Sequence, residues 1–318
     1  AEGRNDLFLT GDPMHRIYSG RKINFGAAGI NVRGVRSRRL KINYRTTEPI
    51  KKVAVSVIKG ITFEDMDGGT ESMNGYVSLI HGGEKPIYKI VGNATDEVTQ
   101  TVEWVKECIN NQINANDICI AAPSMGLMKE LQSYLHTNGI AYKVLKGTSK
   151  QGANNGISLC TLHSLKGLEF KVVVLIGINE RNIPSKVTEG YPFTGMDALD
   201  KKEFLSSKRS LLYVAITRAK DRLYLTHSRE RLLYGRTQFN HPSRFLREIP
   251  DEFVDSDYLK RRREAAEARA ENKEVSGDSQ SARTRKTVIS KEFFKKADSV
   301  SDIGKKYLIR NIRRNFCR

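Results

Sequence analysis

The chain has 318 residues, enough for one large domain or two modest ones with a real hydrophobic core, so length alone excludes little. Its 54 Lys and Arg against 36 Asp and Glu leave a formal charge of +18, which favours a polyanionic partner such as nucleic acid, although a basic but inert surface would give the same balance. Cys108, Cys119, Cys160 and Cys317 form no CxxC pair, which argues against a zinc site or a disulfide framework. No apolar run approaches the roughly 18 residues of a membrane-spanning helix, and the first residues lack the layout of a signal peptide. We therefore expect a soluble, cytoplasmic protein with no membrane partner.

In chain order, Leu7 to Thr10 reads as a short buried strand running into the turn Gly11-Asp12-Pro13. A domain seldom begins on an interior strand, so sequence is expected upstream. A basic stretch, Val32 to Lys41, leads to a short strand at Lys41 to Tyr44. Thr46 or Thr47 can cap a helix carrying Ile50, Val53, Ala54 and Val57, with Gly60 ending it. After a loop rich in Asp and Gly, Tyr88 to Val91 is a strand. Asp96 to Asn111 is a helix with Val98, Val102, Val105 and Ile109 as its apolar stripe. Ile118 to Ala121 is a buried strand, Ser124 caps a helix to about Asn138, and Tyr142 to Leu145 is a strand.

Two strands, Gly156 to Thr161 and Lys171 to Ile176, bracket a compact connection. The second is apolar at nearly every position, as strands covered on both faces tend to be. A helix over Glu203 to Ala219 and a strand over Arg222 to Thr226 follow. Alternation of this kind predicts an α/β fold with a parallel sheet and helices on both faces. Beyond Pro250 the texture changes: Leu259 to Lys273 reads as a solvated helix, Val275 to Arg285 as a linker, and Lys305 to Arg318 as a basic appendage, helical or disordered.

Four clusters carry chemistry: Gly11-Asp12-Pro13-Met14-His15-Arg16-Ile17-Tyr18; Asn43-Tyr44-Arg45-Thr46; the run from Thr161 to Phe170, TLHSLKGLEF; and the run from Tyr213 to Lys220, YVAITRAK. Phosphoryl transfer is catalysed mainly by positioning and by cations that stabilise charge on the γ-phosphate, and an arginine suits that task because its planar fork stays charged. Arg45 and Arg218 each close a short motif, where such a fork would be held rigidly. Glu169, between Leu168 and Phe170, is an expensive place for a carboxylate without a partner; a strand-end salt bridge would supply one. Thr161 and His163 follow a strand, where open parallel sheets usually meet ligands, though a lone histidine is often structural.

In sequence and order the four clusters resemble motifs III, IV, V and VI of superfamily 1 DNA helicases of the UvrD/Rep type, over roughly residues 7 to 230. The resemblance implies a RecA-like second motor domain. It implies that Arg45 and Arg218 contact the γ-phosphate of ATP, that Tyr44 stacks on adenine where core packing is the competing reading, and that Glu169 accepts from the nucleotide sugar. It also implies that Thr161 and His163 face single-stranded DNA and that Tyr18 offers a stacking surface to a base. His15 stands where the family usually has a γ-phosphate-sensing glutamine, and its charge would vary near neutral pH.

Other departures limit the expectation. No GxxxxGK[ST] occurs anywhere; Lys146-Gly147-Thr148-Ser149-Lys150 has the letters in the wrong order. The acidic pair that would hold Mg²⁺ is missing ahead of the first cluster, so ATP and Mg²⁺ are expected in the complete enzyme while the metal ligands lie outside this chain. The tryptophan common after the first cluster's tyrosine is absent, since Ser19, Gly20 and Arg21 follow Tyr18. The span from Arg45 to Thr161 is short, so the large inserted domain is absent or vestigial. The expected organisation is the end of a first motor domain with its crossover over residues 1–45, a second RecA-like domain over 46–250, and a basic tail over 251–318. The expected function is the C-terminal part of an ATP-dependent helicase moving 3′ to 5′ on single-stranded or partly duplex DNA. It would be inactive alone and would work with an N-terminal P-loop domain. The alternative is a non-catalytic single-stranded nucleic-acid-binding protein derived from a helicase.

Overall fold

The computed structural model describes residues 42–61, 77–145, 155–185, 197–233 and 235–275, with short segments at 63–64 and 70–71 and isolated positions between 11 and 40. His15, Tyr18, the strand expected at Leu7 to Thr10, most of the basic stretch from Val32 to Lys41, the Lys146–Lys150 run and the expected linker and tail beyond Val275 lie outside the described residues. The chain divides into two compact units, residues 1–260 and 261–318. Of the second, only the part of a helix reaching Val275 is described.

The first unit alternates strand and helix. After β1 (Ile42–Asn43) comes α1 (Glu48–Ile58), with Ile50, Val53, Ala54, Val57 and Ile58 buried, ended at Lys59 before Gly60 with φ of +82°. Thr47 occupies the cap position, but its side chain makes no capping bond. Short strands β2 (Phe63–Glu64) and β3 (Thr70–Glu71) pair antiparallel, and β4 (Val77–Ser78) pairs parallel with β1. Strand β5 (Ile87–Val91) precedes α2 (Ala94–Asn110). This helix starts on a reciprocal cap, in which the Asp96 N–H donates to Asn93 Oδ1 at 2.9 Å and the Asn93 N–H to Asp96 Oδ2 at 3.2 Å. Val98, Val102 and Val105 face the core as expected. Ile109 does not: it is 37% exposed, and Cys108 takes the last place in the buried stripe.

Strands β6 (Ile118–Ala122), β7 (Tyr142–Val144), β8 (Ile157–Thr161) and β9 (Phe170–Leu175) follow, with α3 (Lys129–Thr137) between β6 and β7. Ser124 does not cap α3; a 3₁₀ turn over Met125–Met128 intervenes. Helix α4 (Ala198–Ile216) stops three residues short of the expected Ala219, because Ala219 already pairs with Phe170 at the start of β10 (Ala219–Ser228). Sheet pairing thus overrides local helix propensity. A hairpin of β11 (Glu230–Leu233) and β12 (Arg236–Phe239), the short α5 (Arg244–Arg247) and α6 (Asp257–Val275) complete the described chain.

The main sheet has the order β5-β10-β9-β6-β8-β7, and every neighbouring pair is parallel. Such strands need crossovers that cover both faces, and alternate side chains divide between two cores. Cys119, Ala121, Val173 and Leu175 pack with the apolar sides of α1 and α4. Ile118, Ile120, Val172 and Val174 pack with those of α2 and α3. On the second face Trp104 stacks on Tyr224, ring centroids 4.8 Å apart. Along the outer side of β5, the Tyr88 N–H donates to the Asp255 carbonyl at 2.9 Å and the Asp255 N–H to the Pro86 carbonyl at 2.8 Å.

Two buried polar groups set expectations for stability. Glu97, 1% exposed, accepts from the Gly177 N–H at 2.8 Å through Oε1 and from Arg231 through Oε2. It ties α2 to the end of β9 and to the hairpin. Burial pushes its carboxyl up despite the arginine, so desolvation outweighs the ion pair. Arg231→Met strands a buried charge and is expected to cost about 3–5 kcal/mol in urea unfolding; a loss near zero would show that the carboxylate simply takes up a proton.

His227 is fully buried at the end of β10, with Nδ1 3.2 Å from the Tyr88 hydroxyl. Burial, with the charges of Arg229 and His241, lowers its pKa to about 4. An unfolded imidazole titrates near 6.5, so the unfolded chain binds more protons between these values. This contribution is complete above pH about 6.5 and is lost as pH falls towards 4, a gap of roughly 3 kcal/mol. His227→Phe is expected to flatten the fall in unfolding free energy over that window; an unchanged slope would assign the acid sensitivity to other groups.

Candidate functional site

Three hydrogen bonds, two of them between backbone groups, gather residues distant in sequence at the amino-terminal edge of β9 and β10. The Lys220 carbonyl accepts from the Thr47 N–H at 3.2 Å, and the Arg218 carbonyl from the Phe170 N–H at 3.0 Å. The Ser78 hydroxyl donates to the Thr46 carbonyl at 2.6 Å. Asn43 shapes the turn bearing Tyr44 and Arg45: its Oδ1 accepts from the N–H groups of Arg45 at 2.9 Å and Thr46 at 3.3 Å, and its Nδ2 donates to Thr46 Oγ1 at 3.0 Å. Thr47 also packs against Gly83, where φ is +122° and a Cβ would meet the Thr47 Cγ2 at 2.7 Å, so only glycine serves there.

On this frame one carboxylate meets a set of cations. Arg45 Nε lies 2.8 Å from Glu169 Oε2, and Lys220 Nζ lies 2.6 Å from Oε1. The hydrogen bond from Lys220 holds the Glu169 carboxyl below its ordinary pKa against the opposing effect of burial, with help from the Arg45, Lys220 and Arg218 charges. Glu169 is therefore not the enclosed carboxylate that its apolar neighbours suggest. It stands at the surface, and the strand-end salt bridge is present. Arg218, 5% exposed, lies just past the end of α4. Its guanidinium is fixed by Nε donating to the Val214 carbonyl at 3.0 Å, one terminal nitrogen to the Leu168 carbonyl at 3.4 Å and the other to Thr217 Oγ1 at 3.1 Å. Burial, then the nearby Arg45 charge, lowers its pKa, while Tyr213, Glu169 and Asp12 oppose that shift. Arginine starts high enough to stay charged. Tyr44, beside Arg45, is 68% exposed, which counts against the core-packing reading.

Thr161 and His163 occupy the opposite edge. Thr161 ends β8 level with Ala122, whereas Phe170 precedes the residue level with Ile118. The Thr161 hydroxyl lies 2.9 Å from Ser164 Oγ and accepts from the Ser164 N–H at 3.3 Å, which turns the chain into a short 3₁₀ helix holding His163. Partial burial and the Lys208 charge lower the His163 pKa. Arg45, Glu169, Arg218 and Tyr44 thus share one edge, and Thr161 and His163 lie at the other. Sequence reading passed over Lys220; its signal was its place directly after the TRA of the fourth cluster. The donor set around Glu169 is cationic apart from one bridged carboxylate and does not suit Mg²⁺. Among the described residues no group of three or more His, Cys, Asp or Glu is placed to hold a metal ion.

A doubly wound parallel sheet with a cationic cluster on its amino edge defines an α/β domain suited to a polyanionic ligand. The model of the UvrD-like helicase C-terminal domain matches residues 38–150 and 145–230, and the chain belongs to that family. Similar curated proteins are named ATP-dependent DNA helicase PcrA. The protein from Staphylococcus epidermidis is 43% identical over 102 residues, 32% of this chain and 13% of that protein. The one from Staphylococcus aureus is 37% identical over 140 residues, 44% of this chain and 18% of that protein. The one from Leuconostoc citreum is 44% identical over 105 residues, 33% of this chain and 13% of that protein. The chain thus matches less than a fifth of the length of each of these relatives. Among solved structures, the C-terminal domain of a possible DNA helicase from Lactobacillus plantarum is similar over 67% of this chain and 97% of its own, with a TM-score of 0.45 and 16% identity.

Lys220→Met removes the strongest influence holding the Glu169 carboxyl down. The Glu169 side-chain ¹³C resonance is expected to titrate at higher pH in that variant, nearer the ordinary 4.5. An unmoved midpoint would mean that the bridge does not form in solution.

Proposed function

We propose that this chain supplies the second, RecA-like motor domain of an ATP-dependent DNA helicase or translocase. The observation that carries the reading is the meeting of Arg45, Glu169 and Arg218 at one sheet edge, beside the exposed Tyr44. In this reading adenine stacks on Tyr44, the sugar hydrogen-bonds to Glu169, and Arg45 and Arg218 face the γ-phosphate, with His15 a further contact. Arg218 is held by two carbonyls and a hydroxyl before phosphate arrives, so little reorganisation is needed when charge develops in the transition state. Thr161 and His163, with Tyr18, face single-stranded or partly duplex DNA. The division into residues 1–45, 46–250 and 251–318 belongs to the same proposal, as do 3′-to-5′ movement and a cytoplasmic setting.

The sequence contains no GxxxxGK[ST], so the phosphate cradle and the Mg²⁺ ligands fall to an N-terminal P-loop domain. The isolated chain is expected to show no useful ATPase activity. Joined to a P-loop motor domain, it is expected to give DNA-stimulated turnover that Arg218→Ala lowers by about 10³-fold or more. Unchanged turnover in that variant would remove the role given to Arg218. Salt-dependent binding of single strands with no ATP affinity in the joined protein would favour the non-catalytic alternative.

A further inference from the structure

The cations of the amino edge differ in their freedom to move. Arg218 is locked, its guanidinium held in place by the Val214 and Leu168 carbonyls and the Thr217 hydroxyl. Lys220 is not locked in this way. Its backbone is fixed, because its carbonyl accepts the Thr47 N–H. Its side chain, 37% exposed, has a flexible four-carbon stem and one ion pair at the tip, 2.6 Å from Glu169 Oε1. Each Glu169 oxygen already carries one cation, Arg45 on Oε2 and Lys220 on Oε1, so a sugar hydroxyl must compete with them for the remaining acceptor positions. A polyphosphate, carrying several negative charges, outcompetes one surface carboxylate for both cations.

We propose that Lys220 is a third phosphate-binding cation of this site, parked on Glu169 when no nucleotide is bound and passed to the polyphosphate when it arrives. The transfer would free Glu169 Oε1 for the sugar, so one movement serves both ends of the ligand. This rests on the nucleotide reading given above. It adds a residue for which that reading has no role, and it makes Glu169 a built-in competitor of phosphate as well as a sugar acceptor.

The test is a titration of the 318-residue chain with ATP and with inorganic tripolyphosphate, in about 0.15 M salt to suppress diffuse binding. It is followed at the backbone amide resonances of Thr46, Phe170 and Lys220, so that only this edge is read. Glu169→Gln is expected to tighten tripolyphosphate binding by releasing both cations. Lys220→Met is expected to weaken it roughly tenfold, the loss of one charge-assisted contact, and to do so at least as strongly in the Glu169→Gln background, where no carboxylate competes for the lysine, while Lys220→Arg restores it. If Lys220 only restrains Glu169, Lys220→Met will tighten binding alone and change nothing beside Glu169→Gln, which overturns the proposal. If ATP shifts these amides but every Lys220 variant binds alike, the proposal falls and the nucleotide site stands. If neither ligand shifts them in any variant, the proposal falls, while the nucleotide reading stands or falls with the Arg218→Ala turnover in the protein joined to a P-loop domain. Unchanged spectra away from the edge show that each variant is folded.

Discussion

Strand β10 lies between β5 and β9, and the backbone at its amino end gives the cationic edge its shape. The Lys220 carbonyl receives the N–H of Thr47, and the Arg218 carbonyl receives that of Phe170. These two bonds join the turn before α1, the start of β9 and the end of α4. Without them Arg45, Glu169 and Arg218 would belong to separate loops. Side-chain chemistry here follows from sheet register: Ala219 opposite Phe170 places the arginine and the lysine on either side of one strand entry, with Glu169 facing them.

Much of the architecture is legible before folding because its signals are local. The run Val172 to Leu175 is apolar throughout since both faces of β9 are covered, and the stripe of α1 follows from helical spacing alone. Errors arise where a distant partner decides. Ala219 reads as helix until its pairing with Phe170 is known, and Ile109 reads as core until the roll of α2 favours Cys108. The motif residues could be named, but not the partners of Glu169: Lys220 meets it only through the adjacency of β9 and β10. Nor does sequence show Glu169 at the surface, since flanking Leu168 and Phe170 suggest enclosure. Arg218 is the converse case: a charge just past a helix end lies buried, held by two carbonyls and a hydroxyl.

The third cluster is one motif in sequence and two places in the molecule. Thr161 leaves the carboxyl end of β8, the chain crosses back over the sheet with Leu162 and Leu165 fully buried, and Glu169 emerges at the amino end of β9. The buried leucines make this crossing a packed strut. A close-packed core resists small displacements, so the Thr161 end and the Glu169 end are held at a fixed spacing by the same side chains that stabilise the domain. The hairpin after β10 is secured differently, by the Arg231 ion pair to Glu97, at a net cost in desolvation that packing elsewhere must offset.

The pairing of Asp255 along β5 bears on how the protein behaves in a crowded solution. An open parallel sheet has two edge strands, each a row of unpaired backbone groups that can template association with another chain. At β5 that row is interrupted by the reciprocal bonds to Asp255, directly before α6 begins. At the far side, β7 is only three residues long and carries Lys143 at its centre. Among the described residues, one edge of the main sheet is therefore blocked by the chain itself and the other is too short to recruit a strand. A six-stranded sheet of this hydrophobicity stays self-limiting without closing into a barrel.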